Sequence, residues 1–187
     1  KHEPMKQTLL ILLILTGANL LAGPVEVDGE LKKWHKISLV ISGPETSEFA
    51  KENPFLNYRL DVSFTQGNKT YVVPGFYCAD ANAAETSAAE GNKWMVRFRP
   101  DRTGIWNYTV SFRKGKDIAV GDDPDAGEPV GVNGMTGSLK ITDSGKKAPD
   151  LRSSGRLEYV GERYLKFAGS DLFFLKNGAD SPENFLA

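Results

Sequence analysis

The sequence holds one cysteine, Cys78, and two histidines, and 23 basic residues against 24 acidic ones leave it with a net charge of −1. Each scarcity removes a class of reading. A single thiol closes no intrachain disulfide, so the core must hold by packing alone, and Cys78 reads as a small half-buried residue. With no basic excess there is nothing to release counterions from phosphates, so nucleic acid is not expected as a partner. His35 has no second histidine or cysteine pattern near it, so no metal is expected; no cofactor is expected either.

Long apolar runs are also missing. Met5-Lys6-Gln7-Thr8 leads into LLILLIL and then TGANLLAG, which is shorter than the about 20 residues a membrane span takes. A basic start, a compact apolar stretch and small residues near Ala22 and Gly23 are the pattern of a secretory signal peptide, so 1–23 is expected to be one of Sec type. Lys1 to Pro4 precede the start expected at Met5. The product is expected to be secreted or periplasmic, with no membrane attachment after cleavage.

What is abundant is alternation. In Gly91 to Gly115, Trp94, Val96 and Phe98 share one face of a first arm, while Lys93, Met95, Arg97 and Arg99 share the other. In the second arm Trp106, Tyr108, Val110 and Phe112 alternate with Asn107, Thr109, Ser111 and Arg113. Period two is the mark of strands with one buried face. Pro100 to Gly104 supplies turn residues, so the stretch is expected to be a hairpin whose apolar face a second sheet covers.

The same period recurs at Ile37, Leu39 and Ile41, stopped by Gly43-Pro44, and at Tyr58, Leu60, Val62 and Phe64. A strand over 69–77 contains Pro74, which suits an edge or a bulge. Pro24 to Gly29 reads as an edge strand, 80–91 as a connection with one weak helical turn, and Ser138 to Thr142 as a last strand. About seven strands at this spacing imply an all-β, immunoglobulin-like β-sandwich over 24–143, without the Cys-Trp-Cys pattern of true immunoglobulin domains.

A linker follows over 144–155. Beyond it Leu157–Val160 and Tyr164–Phe167 read as a short hairpin, and Asp171–Lys176 as an almost continuously apolar strand suited to burial on both faces. Such a strand without a partner implies the front part of a longer protein.

GELKKWHKISLVISGPETSEFAKENPFLNYRLDVSFTQGNKTYVVPGFYCAD together with GNKWMVRFRPDRTGIWNYTVSFRKG resembles the domain of unknown function 5060 family. This is an N-terminal module ahead of the catalytic domain in secreted bacterial proteins classed as glycoside hydrolases. The likeness runs from about Gly29 to Lys116, and DLRSSGRLEYVGERYLKFAGSDLFFLKNGADSPENFLA is similar to the join between module and barrel. The resemblance implies a sandwich followed by a (β/α)8 barrel, of which 156–187 would be the N-terminal fragment and Asp171–Lys176 the first strand. The implied partners are the catalytic barrel of the same polypeptide and the poly- or oligosaccharide substrate of the parent enzyme. The fragment alone should be inactive.

Glycoside hydrolysis takes two carboxylates. Asp180 and Glu183 would fall at the barrel mouth, where they contact substrate or simply cap the next helix. Trp34, Phe76 and Tyr77 lie at strand ends or off the inward register and are candidates for stacking on sugar; for Trp34 packing against the next domain is the first reading and stacking the second. Asp122, Asp123, Asp125 and Glu128 could offer oxygens to calcium, but lack the EF-hand pattern. Lys93, Arg97, Arg99 and Arg113 could meet an acidic polysaccharide or serve solubility. Asn68-Lys69-Thr70 and Asn107-Tyr108-Thr109 match the N-glycosylation pattern, as expected by chance. The leading reading is an accessory module on the barrel. The alternatives are an independent carbohydrate-binding module and a structural spacer.

Overall fold

The computed structural model describes residues 23–175; the expected signal peptide, Asp180 and Glu183 lie outside them. The described chain is all-β, and two antiparallel sheets form a sandwich. The smaller sheet contains β1 (Val25–Gly29), β2 (Ile37–Ser47), β5 (Phe76–Tyr77) and β6 (Glu90–Phe98), in the order β1-β2-β6-β5. The larger contains β3 (Tyr58–Gln66), β4 (Lys69–Pro74), β7 (Gly104–Lys114), β8 (Glu128–Pro129) and β9 (Thr136–Ile141). Its order is β4-β3-β7-β8, with β9 also paired to β7. Two single-turn helices, α1 (Pro54–Asn57) and α2 (Ala83–Thr86), lie in the connections.

The alternation read from the sequence sets the core. Ile37, Leu39, Ile41, Trp94, Val96 and Phe98 enter from the smaller sheet, and Leu60, Val62, Phe64, Trp106, Val110 and Phe112 from the larger; all are buried. Burying each such side chain contributes about 1.5–3 kcal/mol. Aromatic rings meet edge to face across the gap, with Trp94 and Phe112 at 4.9 Å and Phe98 and Trp106 at 5.2 Å.

The expected hairpin over 91–115 does not form. β6 pairs with β2 and β5, and β7 with β3, β8 and β9, so residues 100–103 carry the chain from one sheet to the other. The two apolar faces cover one another instead of sharing a sheet. Periodicity assigns a face to each arm but is silent on its neighbour. The strand expected over 69–77 also divides. Pro74 ends β4 at the sheet edge, the Gly75 amide donates to the Leu60 carbonyl at 2.7 Å, and β5 joins the smaller sheet. Gly75 is required here, since a Cβ would meet Leu60 Cδ2 at 2.5 Å. β2 runs past Gly43-Pro44 to Ser47 through an irregularity between Ser42 and Thr46.

After the sandwich, Asp150 caps a 3-10 turn at Leu151–Ser153. A third sheet follows, with β10 (Leu157–Glu158), β11 (Leu165–Phe167) and β12 (Phe173–Phe174) in sequential antiparallel order. The expected hairpin is there as β10 and β11. The last strand, however, is paired antiparallel and open to solvent, with Leu172 64% exposed, rather than buried on both faces.

Candidate functional site

Two surfaces gather the side chains with functional potential. The first is the third sheet. Cross-strand pairing places Leu157, Leu165, Phe167 and Phe174 on one face. Phe167 is buried and meets Phe174 edge to face at 6.0 Å, while Leu157 and Leu165 remain exposed. Beside the strands Tyr159 is 76% exposed, and Val160, Tyr164 and Leu175 are exposed too. Isolated exposed apolar residues are ordinary, but a contiguous set marks a surface that another body covers.

Trp34 anchors this sheet to the sandwich. It is 4% exposed, and its ring lies so close to Gly155 and Gly169 that a Cβ on either would meet it within about 3 Å. The Gly169 amide donates to the Ser154 carbonyl at 2.9 Å, closing the two strips over the indole. A second tie is Arg156, whose guanidinium lies 5.2 Å from the Tyr71 ring centroid and contacts its hydroxyl at 3.3 Å. Tyr71 in turn donates to Asp101 Oδ2 at 2.6 Å. Trp34 therefore offers no face to a sugar. Its backbone takes the left-handed conformation, at φ 67°.

The second surface is a cleft of about 230 Å³ at the β5 edge, lined by Phe55, Phe76, Met95, Arg97, Glu48 and Asn82, with Tyr77, Cys78 and Ala81 behind them. Phe76 pairs with Met95 across the strands, and Arg97 is two residues along on the same outer face. The Arg97 guanidinium sits 5.2 Å from the Phe76 ring centroid. Phe55 is held by α1, where Asn53 Oδ1 accepts from its amide at 2.9 Å and Pro54 sets the first turn. Asn82 is held by Asp80, whose carboxylate accepts from the Asn82 backbone N–H at 2.8 Å and from Thr86 Oγ1 at 2.7 Å. The Thr86 hydroxyl is the main reason the Asp80 pKa falls below the usual carboxylate range.

Of the expected aromatic candidates only Phe76, at 39% exposure, faces solvent. Tyr77 points the other way and is 5% exposed, its hydroxyl donating to the carbonyls of Thr46 at 2.6 Å and Gly91 at 3.2 Å. Phe55 was invisible to strand periodicity because it sits in a helical turn; the Asn53-Pro54 cap was its only signal.

The basic set does not form one patch. Lys93 contacts Ser42 Oγ at 2.9 Å and Glu26 at 3.6 Å, and Arg113 belongs to the other sheet. Arg113 donates to the carbonyls of Ala126, Asp125 and Gly127, and Arg59 to those of Ile118, Gly121 and Asp123. The acidic loop thus closes around two guanidinium groups. Among the described residues no cluster of three His, Cys, Asp or Glu side chains could hold a metal. Nor is any helix among them long and apolar enough to cross a membrane.

Residues 30–113 match a family described as a domain of unknown function, DUF5060. The match lies within the segment whose sequence resembles that family. No protein of curated function matches the chain. Among solved structures it is similar to a "putative glycoside hydrolase from Bacteroides vulgatus ATCC 8482", at 24% identity and a TM-score of 0.47. That alignment covers 75% of this chain and 20% of the other, so the chain spans about a fifth of that protein's length.

Proposed function

We propose that this chain is the accessory N-terminal β-sandwich of a secreted glycoside hydrolase, which packs on the catalytic barrel and supports polysaccharide degradation. The observation that carries the reading is the open apolar face of the third sheet, fixed to the sandwich by Trp34 and Arg156. A sheet face of this kind gains stability when another layer covers it. The family match over 30–113, with the resemblance of the 150–187 stretch to a module–barrel join, supports a catalytic barrel of the same polypeptide as the occupant. In this reading 1–23 directs export, 24–143 is the module, 144–155 the linker and 156–187 the entry to the barrel, with Asp180 and Glu183 near its mouth. The module contributes no catalytic group of its own.

The test is to produce the barrel separately and add this chain. Co-elution with the barrel and faster hydrolysis of its polysaccharide are expected, both lost in a Tyr159→Asp/Leu172→Asp variant. A wild-type chain that neither co-elutes nor alters hydrolysis overturns the reading.

A further inference from the structure

The cleft at the β5 edge has the make-up of a ligand site and takes no part in the docking described above. Its apolar wall is built from Phe55, Phe76 and Met95 with Ala81, Ala83 and Ala84 beside them. Around that wall stand Arg97, Glu48 and Asn82, whose side chains form no hydrogen bond or ion pair among the described residues. The three differ in kind. Arg97 only donates, Glu48 only accepts, and the Asn82 amide does both. A few convergent polar groups around an apolar wall is the general design of a small-molecule site.

The wall is built at a conformational cost. Ala79 and Ala81 have φ of 50° and 73°, a region L-residues other than glycine, Asn and Asp rarely occupy. Ala81 lines the cleft, and the turn through it delivers Asn82 to the rim. Strained backbone of this sort gathers at ligand sites, where the surrounding structure holds it in place.

We propose that the cleft binds one residue of a neutral glycan chain. A pyranose ring has an apolar C–H face bordered by hydroxyls that both donate and accept. The face would pack between Phe55 and Phe76, and the hydroxyls would meet Arg97, Glu48 and Asn82. Opposite charges on Arg97 and Glu48 offset one another, which suits a neutral sugar rather than a uronate. At about 230 Å³ the cleft lies below the roughly 300–1,000 Å³ of larger ligand pockets, a size for one ring of a chain.

The experiment is calorimetric titration of the full chain with soluble xylan, galactomannan and mixed-linkage β-glucan, and with pectate and alginate as acidic counterparts. At least one neutral glycan is expected to bind, and Phe76→Ala and Arg97→Gln each to weaken it by about tenfold or more. Both side chains are exposed, so the variants should fold, which thermal melting checks. The bound glycan should also slow alkylation of Cys78, which lies behind the cleft. Binding must persist in Tyr159→Asp/Leu172→Asp, so failure of docking and failure of glycan binding are told apart. Absence of binding by the folded chain, equal binding by the variants, or a preference for pectate or alginate overturns the proposal.

Discussion

Phe64 and Phe98 lie face to face across the sandwich, their ring centroids 4.0 Å apart and their planes 6° from parallel. One ring comes from β3 and the other from β6, so this stack joins the two sheets directly. Both residues are buried, and neither has a polar group to satisfy. Phe64→Ala and Phe98→Ala should each lower stability by about 3–5 kcal/mol, through lost transfer energy and the cavity left behind. Urea unfolding of each single variant and of the double variant checks this. Because the rings touch, the double variant should cost less than the two single losses together.

Trp34→Ala should release the third sheet before it unfolds the sandwich. The indole is the surface on which Gly155 and Gly169 close. Limited proteolysis should cut within 144–175 faster in the variant, while the near-ultraviolet signal of Trp94 and Trp106 persists. Glycan binding at the β5 cleft should be unchanged.

His35 should make stability fall in acid. It is buried, and burial pulls its pKa below 6.5, against a smaller opposing effect of Glu30. Below about pH 6.5 the unfolded chain therefore binds a proton that the folded chain resists. The contribution is whole above that pH and is lost as pH falls through the lower folded-state value. Urea midpoints between pH 8 and 5 should show the decline, and His35→Gln should flatten that part of the profile.

Calcium should not stabilise the 117–129 loop, because the carbonyls there already accept from Arg59 and Arg113. Melting curves with calcium and with EDTA should coincide. Arg113→Ala should cost about 2 kcal/mol or more, since it leaves three carbonyls without their charged donor. A calcium-dependent shift in the wild type would count against this account of the loop.

The Cys78 thiol should react slowly. It is half-buried, and burial is the main cause pushing its pKa up, so less thiolate is present at neutral pH. Its rate with a thiol reagent at pH 8 should trail that of an unfolded control, and should rise to match it in urea.

The faces of the strands were legible in the sequence because alternation is a local property: every residue of the Trp94–Phe98 and Trp106–Phe112 inward sets is buried as expected. Strand partners were not legible, because a pairing such as Leu39 with Val96 depends on long-range geometry that no window of residues contains. The same limit explains the divided 69–77 strand, where Gly75 closes on Leu60 of the neighbouring strand and on Val96 of the opposite sheet. For the site, Phe76 was found by its register. Tyr77 faces inward, since an aromatic at a strand end can turn either way, while Trp34 packs on the segment after the sandwich, the reading placed ahead of sugar stacking for it. Arg97 and Glu48 come to one cleft only once β2, β5 and β6 are paired and the 79–87 connection is in place.

The crossing at residues 100–103 also bears on how the chain acquires its fold. The smaller sheet pairs Ile37 with Phe98, and the larger pairs Tyr58 with Lys114, so both sheets wait for distant partners. On a ribosome, β1 to β5 emerge with only the β1–β2 and β3–β4 pairs available to them. Loop-closure entropy then makes assembly slow relative to a helical protein of this size. The arrival of β6 completes the smaller sheet, and β7 joins β3 directly after it; only β8 and β9 are then still to come, so the sandwich forms late rather than sheet by sheet.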